Sequence, residues 1–232
     1  MVETLSQPTQ TAPDAGRNVL DVLMERGFVE NVSDEAGLRA ALADPANRPI
    51  TMYIGFDPTA SSLHIGNLLG IMLMAHIQRH GHRPIALVGG GTGMIGDPTD
   101  KSATRPILTL EQIGENIKGQ RPQFERYLDF EGRAFGDNPP ALLVNNADWL
   151  TPLRYIEFLR DIGRHFSVNE MLAAETYRQR LETTGLNFVE FNYRIVQAYD
   201  FLHLFRTYGC ALQMGGSDQW GNIVAGVDLI RR

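Results

Sequence analysis

Cysteine is nearly absent from this chain. Cys210 is the one thiol among 232 residues, so an intramolecular disulfide and a cysteine-based zinc site are both excluded, as suits a reducing compartment. On its own Cys210 reads as a small buried residue. Long apolar runs are missing as well: the longest, Leu68–Ala75, is too short to span a bilayer. The N-terminus has no basic segment followed by an apolar one, so no export signal and no membrane partner are expected, and the chain reads as cytoplasmic. Positive charge is in deficit. A formal net charge of −6 argues against a surface that binds nucleic acid everywhere, so an RNA partner would need a local patch or a segment outside this one. The glycine run Gly89–Gly96 lacks the Lys-Ser/Thr pair that a phosphate-cradling P-loop requires.

What is present is enough apolar side chain, 43% of residues, to bury a full core in one α/β domain or a domain with an insertion. Residues 1–16, rich in Thr, Gln and Pro without periodicity, read as a mobile tail. Residues 17–48 form a helical segment that packs on the sheet, with Gly27 ending one helix and Ser33-Asp34-Glu35 starting another. Residues 49–149 alternate strand and helix. Ile50–Phe56 is a β-run, His64 to about His80 a helix that is apolar almost all round, and Pro84–Val88 a continuous apolar run suited to an inner parallel strand. Together they make a βαβ unit. Thr109–Phe130 reads as one long helix and Ala141–Val144 as a further strand. Over 150–187 the strands stop, and helices at Leu153–Ile162 and Val168–Leu181 read as an insertion whose aromatic content suits a partner surface. Residues 188–232 return to the sheet through the helix Phe188–Tyr208, the strand Cys210–Gln213 and a last helix.

The stretch Thr51–Asn67, TMYIGFDPTASSLHIGN, runs from strand through a small-residue turn into a helix start. Free N–H groups and the positive end of the macrodipole make such a start an anion site, and Ser61 or Ser62 can cap it. His64 and Asn67 share one face of the first turn, and Gly66 between them leaves room for a flat ring. On the helix Phe188–Tyr208, Tyr193, Gln197 and Asp200 stand at i, i+4 and i+7, so a phenol, an amide and a carboxylate line one face among apolar neighbours. A buried row of that kind is costly unless something satisfies it. Asp97 follows one strand, and Gly215-Gly216-Ser217-Asp218-Gln219 follows another. Both lie where open α/β sheets bind ligands, and Asp218 could accept ribose hydroxyls.

His64-Ile65-Gly66-Asn67 resembles the HIGH signature of class I aminoacyl-tRNA synthetases, and Gly55-Phe56-Asp57-Pro58-Thr59 before it and GGSDQWGN at 215–222 extend the likeness to the bacterial tyrosyl-tRNA synthetase family over about Arg17–Arg232. The resemblance implies a Rossmann-like doubly wound parallel sheet with a helical insertion between its two halves, and a homodimer using the 150–187 region and the segment near Phe188. It implies ATP-dependent activation of L-tyrosine to tyrosyl-adenylate, then transfer to tRNA(Tyr), with Mg2+ accompanying ATP and no dedicated protein metal site. By the same resemblance Tyr53 and Asp200 bind the substrate's phenolic hydroxyl, Asp97, Tyr193 and Gln197 its ammonium, and Gln219 lies near its carboxylate. Gly55, Asp57, Gly66, Asn67, Gly215, Gly216 and Asp218 contact ATP. Thr59 and His64 bind the leaving pyrophosphate, with Lys101 and Arg105 closing over it.

Asn67 stands where the general signature has a second histidine, and Ile54 cannot hydrogen-bond ribose. The family's KMSKS-like loop and C-terminal tRNA-binding region would fall beyond Arg232. A fragment that binds tyrosine or RNA without turnover is therefore the alternative from another class, separable by calorimetry beside adenylate formation. A tryptophanyl-tRNA synthetase would share the nucleotide features, but an indole N–H only donates and cannot use both Tyr53 and Asp200. A small nucleotidyltransferase would give the Tyr193, Gln197, Asp200 row no role.

Overall fold

The computed structural model describes residues 16–95, 108–183 and 185–232. The expected tail at 1–16 falls almost wholly outside them, as do Asp97, Lys101 and Arg105. The chain opens with α1 (Val19–Glu25) and α2 (Glu35–Ala43), capped by the side chains of Asn18 and Asp34. Strand β1 (Thr51–Phe56), helix α3 (Ile65–Arg79) and strand β2 (Arg83–Val88) follow, then α4 (Leu110–Phe124) and β3 (Leu142–Asn145). Short helices α5 (Ala147–Leu150), α6 (Tyr155–Asp161), α7 (Val168–Ala173) and α8 (Glu175–Thr183) lead to the long α9 (Phe188–Tyr208), β4 (Cys210–Gln213) and α10 (Trp220–Arg231).

The four strands form one parallel sheet in the order β3-β2-β1-β4. Side chains alternate across a strand, and here both faces are covered. Met52, Ile54, Phe56 and Ala86 turn to a core built with α1 and α3, whereas Tyr53, Ile85 and Leu87 turn to a second core with Trp149, Phe201 and Leu204. The structure is therefore the expected α/β fold, wound on both sides of its sheet. A third core joins Ile162, Met171 and Tyr177 to Ile195, Ala198 and Leu202 of α9, and so ties the helical stretch before α9 to that helix.

Three local expectations differ. Helix α4 stops at Phe124 rather than Phe130, because the Asp129 carboxylate takes the backbone N–H groups of Glu131, Gly132 and Ala134 and organises a turn instead. The single helix expected over Val168–Leu181 breaks at Ala174, which is extended at ψ 136°. On one continuous helix Met171 and Tyr177 would point about 120° apart. The break lets both enter the third core. Finally, α3 is capped by His64 itself and not by Ser61 or Ser62: Nδ1 accepts from Gly66 N at 3.1 Å, and His64 N donates to Asn67 Oδ1 at 3.0 Å.

Helix α4 also holds the loop before α3. Asn116 Nδ2 donates to Pro58 O at 2.8 Å, Gln120 Nε2 to Ala60 O at 2.9 Å and Gln123 Nε2 to Ser61 O at 3.4 Å. The helix comes close enough that a Cβ on Gly119 would sit 2.4 Å from Ser61 O, while one on Gly114 would meet nothing within 4 Å. The two glycines should therefore answer an alanine in opposite ways. Gly114→Ala should stabilise the chain by roughly 0.5–1 kcal/mol through helix propensity, and Gly119→Ala should destabilise it by about 1–3 kcal/mol through overpacking. Urea unfolding of the two variants measures both; equal shifts would refute the close approach.

Candidate active site

All four strands are parallel, so their carboxyl ends lie along one edge, joined there by Gly89 N to Phe56 O at 2.9 Å and Met214 N to Tyr53 O at 3.0 Å. Gly89 is where side chains from two of these ends converge: a Cβ there would lie 2.7 Å from Asp57 Oδ1 and 2.5 Å from Thr92 Oγ1.

Tyr53 and Asp200 are each 1% exposed and face the same core. The Tyr53 ring packs on Phe201 at 5.5 Å, and its hydroxyl has no hydrogen-bond partner among the described residues. Burial, with the Asp200 charge beside it, holds the phenol well above its ordinary pKa and hence neutral. Asp200 is gripped from two sides. Asn146 Nδ2 donates to Oδ2 at 2.9 Å and Trp149 Nε1 to Oδ1 at 2.7 Å. Burial, opposed by the two donors and helped by the Asp57 charge, leaves this carboxyl raised to about 7. Asn146 itself is fully used, since its Oδ1 accepts from Gly91 N at 2.7 Å and its Nδ2 also reaches Thr92 Oγ1 at 3.0 Å. The Trp149 ring stacks on His203 at 4.4 Å.

Neither Asn146 nor Trp149 was assigned a part from the sequence. The available signal was a polar Asn-Asn pair ending an apolar strand at the ligand edge, which a turn explains equally well.

The rest of the row meets the segment after β4. Tyr193 is buried on the same helix. Gln197 Nε2 donates to Gln219 Oε1 at 3.2 Å, and Asn222 Nδ2 donates to Gln197 Oε1 at 3.0 Å and Gln219 Oε1 at 3.1 Å. Gln219 Nε2 in turn reaches Asp218 Oδ2 at 2.9 Å. A Cβ on Gly216 would fall 2.4 Å from Asp218 Oδ1, and one on Gly215 would press on Gln219 at 3.3 Å.

At the start of α3 the cap decides the chemistry of His64. With Nδ1 accepting, a neutral ring carries its proton on Nε2, so the exposed His64 offers a donor. Asn67 spends Oδ1 on the cap and has its Nδ2 donors left to offer. Thr59 and Gly66 are exposed at the same turn, and Gly55 has open space where a side chain would stand. A half-open pocket of about 150 Å³ lies elsewhere, lined in part by Phe166, Met171, Arg194 and Gly221 and by none of the expected site residues. Among the described residues no group of three or more His, Cys, Asp or Glu is placed to hold a metal, and no helix is long and apolar enough to cross a membrane.

A family model described as tRNA synthetases class I (W and Y) matches residues 45–232. A tyrosine–tRNA ligase of Syntrophus aciditrophicus is 62% identical over 216 residues, which is 93% of this chain and 48% of that protein. One of Desulfatibacillum aliphaticivorans is 59% identical over the same length, so the chain spans about half of the curated relatives it matches. Among solved structures, a C-terminally truncated mitochondrial tyrosyl-tRNA synthetase of Aspergillus nidulans superposes with a TM-score of 0.80 at 32% identity, covering 92% of this chain and 61% of that one. With the polar row and the segments 51–67 and 215–222 inside the matched range, the chain belongs to the class I tRNA synthetases of the tryptophan and tyrosine family.

Proposed function

We propose that this chain is the amino-acid-activating part of a tyrosine–tRNA ligase. The observation that carries the reading is the Tyr53 hydroxyl, buried without a partner among the described residues, beside a buried Asp200 carboxylate. A phenol both donates and accepts, and this pair offers one donor and one acceptor. Phenylalanine would leave the Tyr53 hydroxyl unpaired and bring Asp200 no further donor, and an indole could donate only to Asp200.

With the phenol held at that end, Asp97, Tyr193 and Gln197 take the substrate ammonium, and Gln219 lies beside its carboxylate. ATP enters as its Mg2+ complex along Gly55, Asp57, Gly66, Asn67, Gly215, Gly216 and Asp218. A carboxylate oxygen of tyrosine then bonds to the α-phosphorus as the bond to the bridging oxygen breaks, and pyrophosphate leaves. No protein nucleophile is consumed, so the chain contributes position and charge. The His64 Nε2–H and the Thr59 hydroxyl donate to the departing phosphates, joined by Lys101 and Arg105. Transfer of tyrosine to tRNA(Tyr) in the cytoplasm completes the cycle. Large apolar side chains on α6 and at the start of α9, with Ile156 73% and Phe188 66% exposed, suit a second copy of the chain.

Calorimetry should show tyrosine binding and little phenylalanine binding, with Tyr53→Phe narrowing the preference by about tenfold to a hundredfold, the cost of an unsatisfied buried partner. Unchanged preference would remove Tyr53 from recognition. Tyrosine must donate to an ionised Asp200, so affinity should rise with pH through about 7. Below that point it should fall by about tenfold per pH unit, and Asp200→Asn should abolish the dependence; a flat wild-type profile would count against it. Single-turnover adenylate formation tests the chemistry itself. Phe188→Asp should shift the chain from dimer to monomer in sedimentation, and an unshifted profile would free that face from assembly.

A further inference from the structure

We propose that His203 is a positioning residue whose ring holds the Trp149 indole in plane, keeps the indole N–H on Asp200, and so sharpens the choice of tyrosine over phenylalanine. The effect on specificity rests on the tyrosine reading, whereas the hold on Trp149 does not.

The two donors that meet Asp200 stand on unequal footings. Asn146 is pinned at both ends of its amide: Oδ1 accepts from Gly91 N at 2.7 Å, and Nδ2 reaches Thr92 Oγ1 at 3.0 Å as well as Asp200. Trp149 has one polar group in its side chain, the Nε1–H that donates to Asp200 Oδ1 at 2.7 Å. A single hydrogen bond fixes one point of the ring and leaves its plane free to pivot there. The backbone beneath adds little, because α5 is one turn of four residues without a side-chain cap, too short to be stable by itself.

His203 supplies the missing constraint. It stands three residues after Asp200 on α9, on the same face of that helix. Its ring lies against the indole with centroids 4.4 Å apart and planes 13° from parallel. Helix α9 therefore grips Trp149 twice, at the ring edge through Asp200 and on the ring face through His203. The imidazole is bracketed in turn by its own helix: Tyr199 lies 6.4 Å away at 47°, and Thr207 Oγ1 is 3.4 Å from Nε2. Trp149 is 8% exposed and His203 half-buried, so the stack sits at the margin of the core, where losing the imidazole opens little cavity. Were the indole to swing away, Asp200 would lose one of its two donors while remaining buried, and its charge would be held less firmly for a ligand hydroxyl. Phenylalanine brings no hydroxyl and is indifferent to that change.

His203→Ala removes the plate, and His203→Phe restores a ring without the imidazole nitrogens. In proton-exchange spectra of the unliganded chain, with the indole of Trp220 as reference, His203→Ala should speed exchange of the Trp149 indole N–H by roughly threefold to tenfold, the worth of one aromatic pair. The backbone amides of β1 and β2 should keep their rates, and His203→Phe should stay near wild type. An unmoved indole overturns the proposal, and so does a rise shared by the strand amides, which marks a general loss of stability. By competition calorimetry the preference for tyrosine over phenylalanine should narrow by a similar factor in His203→Ala, with phenylalanine affinity held, and return in His203→Phe. A preference unchanged in His203→Ala, or lost equally in both variants, overturns the effect on specificity. If the wild-type chain binds neither amino acid, the tyrosine reading falls while the indole exchange still decides whether His203 holds Trp149.

Discussion

A carboxylate withdrawn from water is the constraint around which this molecule is arranged. Ionised Asp200, 1% exposed, would cost several kcal/mol without compensation. Its two oxygens are met by Asn146 at the end of β3 and Trp149 in α5, so α9 is tied to two other elements by the demands of one side chain. Asn146 extends the tie to the end of β2 through Gly91 and Thr92. The same desolvation that makes Asp200 expensive makes it a discriminating acceptor, because a ligand that fails to donate leaves it as costly as before.

The two ends of the polar row on α9 solve different problems. At Asp200, donors converge on a fixed charge. At Gln197 the groups are neutral amides, and Gln197, Gln219 and Asn222 bond to one another. Both solutions bring in residues distant in sequence: Asn146 and Trp149 lie 54 and 51 positions from Asp200, and Asn222 lies 25 from Gln197.

Much of this was legible from residue order. Helix α9 and strand β4 have the bounds that periodicity and punctuation give them, because Asn187 caps the one and Gly209, at φ 62°, separates the two. The β-run expected at Ile50–Phe56 is strand β1, buried on both faces with Gly55 its one exposed residue. Asn146 and Trp149 were not legible, since their importance depends on β3 pairing with β2 and bringing α5 beneath α9, a tertiary fact. His64 was read as a ligand for anions and not also as a cap, since serine is the commoner cap and two serines stood nearby. The division of α7 from α8 came from the third core, which overrides local helix preference.

The ladder of amides on α4 has a bearing on how this edge behaves over time. Asn116, Gln120 and Gln123 occupy the carbonyls of Pro58, Ala60 and Ser61 in the stretch that feeds into His64. A segment fastened in this way starts stiff. Whatever arrives at the head of α3 meets a surface shaped in advance, and little of its contact energy is diverted into freezing floppy backbone.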